Sequence, residues 1–193
     1  MTVNGSNILA GAGSLYYASF GTTFPADSAA TVANGAPAGF TDFGGTSGGV
    51  NVMASQKLKM KKVDQILLAV GAYPTEESIQ LKTKLAEATV NNLNVGLNNK
   101  FTIGTQATYT TADWNATVNS QQLTYISLIF DGWAPALGSG AAARRRVCAY
   151  KVLSEGTIGA AYKVDDQVVF DVTFDVFFVS GSQTPFHMID QTA

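Results

Sequence analysis

Apolar and polar residues alternate with a period of two along residues 167–178, QVVFDVTFDVFF. One set is Val168, Phe170, Val172, Phe174, Val176 and Phe178; the other is Val169, Asp171, Thr173, Asp175 and Phe177. This predicts a strand with one buried face and puts two carboxylates on the opposite face. The same period runs through residues 50–68, where Leu58 and Met60 alternate with Lys57, Lys59 and Lys61. It returns in Ile79, Leu81 and Leu85, which alternate with Gln80, Lys82 and Lys84. Between these runs, residues 69–77 (AVGAYPTEE) contain Gly71 and Pro74 and read as a turn. The two runs therefore predict a long hairpin with a Lys-rich polar face.

The period changes over residues 88–98. Val90, Leu93 and Leu97 are spaced three and four apart, which predicts a short helix with Thr89 as its N-cap. Four Asn and Gly96 make it a poor helix on its own, so packing against a sheet must hold it. Further strands are predicted over residues 15–20, 123–130 and 146–153. Residues 21–49 read as a long loop around Phe40 and Phe43, and 138–146 (GSGAAARRR) as a mobile loop. The fold class that follows is mainly β with one short helix and a long hairpin, in a single domain over residues 1–193. A flexible arm is expected at about 1–13 and a flexible loop at 21–49.

Composition narrows the partners. Only 13% of residues are charged, against about 25% in typical domains, which suits a bland surface or one covered in an assembly. A net charge of −2 argues against a free nucleic-acid binder. Cys148 is the only cysteine, so no internal disulfide or thiolate metal cluster is expected. The first basic residue is Lys57 and the longest apolar run is residues 66–70, so neither a secretion signal nor a membrane-spanning helix is expected. The reading is a soluble chain kept in a reducing compartment.

Candidate chemistry is sparse. Asp171 and Asp175 lie about 13 Å apart along a strand, beyond the roughly 5–9.5 Å of a glycosidase pair. His187 is the only histidine, and neither it nor Cys148 lies in a known catalytic signature. Zinc sites need more such ligands. FGGTSGGV (43–50) lacks the GK[ST] ending of a phosphate-binding loop and precedes a strand, so it reads as a loop or bulge needing positive φ. KLKMKK (57–62) and RRR (144–146) read as solvated or interface faces in preference to nucleic-acid patches. No enzyme activity, cofactor or metal is expected.

Three stretches in order resemble the major tail tube protein of long-tailed bacteriophages. LYYASFGTTFPAD (15–27) is similar to the family's opening strand and its GT-x-x-P loop. GFTDFGGTSGGVNV (39–52) is similar to the approach to its long hairpin. VDQILLAVGAYPTEESIQLKTKLAEATVNNLNVGLN (63–98) has its Val-Asp-Gln start, acidic turn, LAEAT strand end and amphipathic helix. YISLIFDGWAP (125–135), RRVCAYKV (145–152) and the final strand also fit.

The resemblance implies a β-sandwich or barrel of two sheets with a flanking helix. It implies six-subunit rings stacked into a virion tail tube through which the genome passes during delivery into the host cell. Implied partners are further copies of the chain and the tape measure, terminator and tip proteins. Viral DNA would pass without sequence-specific binding, and no membrane is involved. Four strands from each of six subunits, about 4.8 Å apart, would close a barrel roughly 37 Å across. Side chains narrow that to roughly 25–30 Å, enough for a duplex roughly 20 Å wide whose phosphates must not stick. Six chains at −2 each carry −12, the wrong sign for gripping DNA.

Candidate interface or lumen residues are Lys57, Lys59, Lys61, Lys82, Lys84, Asp171 and Asp175. The lysines would form like-charge rows if the two runs pair, with the carboxylates as partners. A carboxylate lining of the lumen is the alternative. Other functional readings are a tube of a contractile tail or secretion apparatus, or a β-sandwich binding module using Trp114 or Trp133.

Overall fold

The structure is a computed structural model that describes residues 13–27, 35–114, 123–135, 143–155, 158–159, 162, 165 and 167–191. The expectations for residues 1–12, for 28–34 within the long loop, and for 138–142 lie outside the described residues. The chain is mainly β. Its strands are β1 (Ser14–Ser19), β2 (Thr41–Asp42), β3 (Thr46–Val63), β4 (Ile66–Leu85), β5 (Phe101–Gln106), β6 (Tyr109–Trp114), β7 (Ile126–Ala134), β8 (Ala143–Glu155), β9 (Phe170–Val176) and β10 (Phe186–Asp190). One helix, α1 (Val90–Gly96), lies between β4 and β5.

Eight strands form one antiparallel sheet in the order β2-β1-β7-β8-β9-β4-β3, with β10 also paired to β8. β5 and β6 form a separate two-stranded ribbon. β8 is long enough to pair twice along one edge. Its first half takes β10 at Arg145–Ala149, and its last residues take β9 at Val152–Glu155. The large sheet is curled. β3 and β7 are four strand positions apart, about 19 Å in a flat sheet, yet both line one groove with Val50, Val52, Phe130 and Gly132.

The curl closes the inner face on a core of Leu15, Phe43, Leu81, Leu85, Val95, Ile126, Leu128, Ala149, Val152, Phe170, Val172 and Phe174. Phe170, Val172 and Phe174 come from one face of β9, as the alternation predicted. A second cluster on the outer face of β1, β7 and β8 contains Tyr16, Ala18, Ile129 and Cys148. Phe40 and Phe24 from the long loop cover it.

Helix α1 is capped as expected: the Thr89 side chain accepts from the Asn92 backbone N–H. Its weak sequence has a tertiary purpose. Asn92 donates to the carbonyls of Phe43 and Glu87, and Asn98, just past the helix, exchanges two hydrogen bonds with the Ser154 backbone. Gly96 leaves no room for a Cβ, which would stand 2.3 Å from Ile158 Cδ1.

Two expectations are corrected and one element is added. Residues 69–77 are not a turn: β4 runs straight through them, and the chain reverses at Asp64 and Gln65, between the paired Val63 and Ile66. Pro74 is accommodated because the register slips there, Lys57 facing Glu76 and Leu58 facing Pro74. A proline fits such a bulge on a free edge. Residues 143–146 are not a loop but the start of β8. Residues 101–114, unassigned from sequence, form the β5–β6 ribbon.

Candidate functional site

The polar face of β9 lies against β4. Lys84 and Asp171 are directly opposite, with Nζ 3.8 Å from Oδ1 and both side chains more than half exposed. Such a pair is worth roughly 0–1 kcal/mol. Asp175 faces Gln80, whose side-chain amide donates to it at 2.7 Å. Lys82 faces Thr173. Lys82, Lys84, Asp171 and Thr173, with Asn51, Ser47 and Glu155, surround a polar hollow of about 540 Å³ on the outer surface. The hollow mixes two ammonium groups, Lys82 and Lys84, with two carboxylates, Asp171 and Glu155, and is wide open to water.

Lys57, Lys59 and Lys61 share this outer face by strand alternation but not this neighbourhood. Lys57 stands opposite Glu76, and Lys82 opposite Asn51, six residues and about 20 Å further along β3. The expected like-charge row is therefore broken into two groups by Met53, Ser55, Ser78 and Gln80. Lys57 bonds Glu76, and Lys61 lies over the Tyr73 ring at 5.5 Å. Asp171 and Asp175 meet only the β4 group.

Beyond Ala54 and Ile79 the β3–β4 hairpin leaves the body as an arm. Every residue from Ala54 to Ser78 is exposed. Among the described residues β3 pairs only with β4, and β4 meets β9 only from Gln80 to Leu85, so both outer edges of the arm are unpaired there. Alternation carries the apolar inner face outward along the arm. Past the polar Gln56–Glu77 pair, Val50, Val52 and Ala54 lead to Leu58 and Met60, and Leu81 and Ile79 lead to Pro74, Val70, Leu68 and Ile66. Leu68 is 79% exposed. The core face thus continues past the core, uncovered among the described residues. Sequence alternation found the two faces but not that one of them extends into solvent.

The arginine run is not a basic patch. Arg146 is buried and paired with Asp131; Arg145 grips Asp190 through Nε at 2.6 Å and Nη2 at 2.7 Å; Arg144 lies over the Trp133 ring at 4.0 Å. The Arg145 hydrogen bonds hold the Asp190 carboxyl below its ordinary pKa.

Cys148 and His187 are brought directly opposite on β8 and β10. The thiol is nonetheless buried among Tyr16, Phe40 and Ile129, and burial pushes its pKa up to about 12. His187 turns its Nε2 to Asp27 Oδ2 at 3.3 Å. A protonated, inaccessible thiol is a poor nucleophile. Among the described residues no group of three or more His, Cys, Asp or Glu could hold a metal ion, and no helix is long and apolar enough to cross a membrane. Trp114 is exposed on the β5–β6 ribbon, edge-on to Phe101.

No protein-family model and no curated protein matches this chain.

Proposed function

We propose that this chain is a structural virion protein that assembles into rings, stacked as the tail tube of a long-tailed bacteriophage, the conduit for genome delivery. The reading joins the sequence resemblance to one observation, the solvent-stranded β3–β4 arm. Leu58, Met60, Val63, Ile66, Leu67, Leu68, Val70 and Tyr73 are all exposed on it. Each such side chain gains about 1.5–3 kcal/mol on full burial, so an isolated monomer forgoes a stabilisation comparable to a whole domain's stability. Two long free edges add a row of unpaired backbone groups. Lys57, Lys59, Lys61 and Lys62 blunt indiscriminate pairing along them while leaving an oriented partner free to dock.

In this reading the curled sheet is one wall of a sandwich or barrel, and neighbouring copies complete it. The outer face with Asp171, Asp175, Glu155, Lys82 and Lys84 lines the bore, where near-balanced charge lets phosphates pass without sticking. Tape measure, terminator and tip proteins meet the tube at its axis and ends. No cofactor, catalysis or membrane contact is required. Exposed Tyr109 and Trp114 on the β5–β6 ribbon favour the second reading, a binding module.

Electron microscopy of the concentrated protein, alone and with a tail-tip complex, tests the proposal. Rings or tubes with a bore wider than a DNA duplex are expected. A monomer at all concentrations and salts, with the initiator supplied, refutes it.

A further inference from the structure

β8 changes partner midway, from β10 to β9, and a bulge marks the change. Ile126 of β7 faces Val152 while Leu128 faces Ala149, so Tyr150 and Lys151 together stand opposite Ser127. A bulge of this kind re-aims the side chains it carries. Tyr150 packs on the outer cluster, and Lys151 ends among aromatic rings from the ends of β1, β7 and β9. Its Nζ lies 4.2 Å from the centre of the Tyr125 ring and 5.7 Å from that of Phe20. Phe20 and Phe177 both meet Tyr125 edge-on, at 6.3 and 5.7 Å. Phe20 is 45% exposed and Phe177 37%. Among the described residues no carboxylate pairs with Lys151. The bulge thus holds a half-buried ammonium, its charge unneutralised, in an aromatic frame open to solvent.

A pocket of about 310 Å³ adjoins the frame, and Phe20 lines it. Its polar lining is hydroxyls and one amide: Thr22, Thr23, Ser127, Tyr150 and Gln183. Thr22 Oγ1 donates to the Ser19 carbonyl and Ser127 Oγ to the Tyr150 carbonyl, each at 2.8 Å. With their protons committed, both hydroxyls offer a ligand oxygen lone pairs. The volume is at the small end of the roughly 300–1,000 Å³ of ligand pockets, so it takes one ring.

We propose that this corner is a binding site for an acidic sugar, a hexuronate or similar sugar acid of a polysaccharide. Each part of such a ligand finds a partner. The polarised C–H groups of the sugar ring pack on the Phe20 ring, whose face is negative. The sugar hydroxyls meet the lone pairs of Thr22 and Ser127 and the Gln183 amide, and the carboxylate meets Lys151 in a charge-assisted contact. A simple inorganic anion would leave the rings unused. A nucleobase stacks between parallel rings, whereas these meet at 62° and 71° and form a corner. A peptide added as a strand finds no free backbone at the bulge. The Tyr150 N–H donates to the Pro185 carbonyl, and the Lys151 carbonyl accepts from the Phe177 N–H. The site is independent of the assembly proposed above.

Saturation-transfer NMR on the full chain tests the site, since it reads the ligand whether the protein is monomeric or assembled. The probes are tetragalacturonate, neutral maltotetraose, inorganic phosphate and a tetraglutamate peptide. Tetragalacturonate is expected to bind at least about tenfold more tightly than maltotetraose, with saturation strongest on its ring C–H protons. Lys151→Met is expected to erase that preference and Lys151→Arg to keep most of it. Phe20→Ala is expected to weaken binding of both saccharides, while Lys59→Met on the arm changes neither. Raising the salt, which needs no variant, is expected to erase the same preference. No saturation of tetragalacturonate overturns the site. Equal binding of tetraglutamate overturns it in favour of an acidic-peptide surface, and displacement by equimolar phosphate in favour of an unspecific anion surface. A preference that survives in folded Lys151→Met overturns it as well.

Discussion

Arg146 holds Asp131 through two parallel hydrogen bonds, Nε to Oδ1 at 2.6 Å and Nη2 to Oδ2 at 2.7 Å, directly across the β7–β8 pair. Arg146 is only 2% exposed and Asp131 7%. The Arg146 Nη1 has no hydrogen-bond partner among the described residues, so the pair is incompletely satisfied. Removing one partner strands a buried charge and costs about 3–5 kcal/mol, whereas replacing both with apolar residues is often neutral or stabilising. Asp131→Ala is expected to lose about that much in urea unfolding. Asp131→Leu with Arg146→Met is expected to recover most of it. Equal losses in the single and double variants would mean that the pair itself, and not its desolvation, dominates.

Gly48 and Gly49 both adopt left-handed backbone, φ 78° and 77°, as two extra residues between Ser47 and Val50 opposite Lys84 and Thr83. Thr83 donates its hydroxyl to the Gly49 carbonyl and clasps the bulge. A Cβ at either glycine meets no atom within 4 Å, so the penalty for alanine is conformational alone, about 1–2 kcal/mol each. The double alanine variant is expected to fold with a melting temperature several degrees lower and to assemble poorly, because β3 leaves the body at a different angle. Thermal melts and sedimentation velocity separate the two effects.

Asp171 and Asp175 occupy an exposed face and contribute little to monomer stability, so their reversal tests placement. Asp171→Lys with Asp175→Lys is expected to leave folding and assembly intact. It should also make tubes that retain DNA at low salt and release it as salt rises. Assembled tubes that retain no DNA would place this face on the outside. Loss of assembly, partly restored by Lys59→Glu with Lys82→Glu, would place it at a subunit boundary.

The Cys148 thiol is expected to resist alkylation at pH 8.5 in the folded protein and to react at once in denaturant, which mass spectrometry reads directly. Its folded pKa of about 12 exceeds the ordinary 9.0. As pH rises, the unfolded chain therefore loses its proton first. The thiol's contribution to stability is whole below pH 9 and is lost between about 9 and 12. Asp190 acts in the opposite sense: its pKa is lowered by Arg145, so its contribution is present above the ordinary carboxylate range and fades as acid protonates it. Cys148→Ser and His187→Ala are expected to leave assembly largely intact.

The period-two pattern by itself placed strands within β3, the last part of β4 and β9, told which side of each is apolar, and put Asp171 and Asp175 on one polar face of β9 and Lys82 and Lys84 on one polar face of β4. Those properties follow from alternation along one strand. Thr89 and the spacing of Val90, Leu93 and Leu97 located α1 for the same local reason. Tertiary structure alone decided the rest. Pro74 is a breaker in local terms, yet it lies within β4 because a register slip on a free edge removes the need for its missing N–H. Arg144, Arg145 and Arg146 form one run in sequence, but Trp133, Asp190 and Asp131, supplied by other strands, send them to three separate partners. The apolar rows of the arm read the same whether they line a core or stand in solvent. Alternation reports which side of a strand is apolar, while only the position of the other strands fixes what that side touches. Here the curl of the sheet ends before the hairpin does.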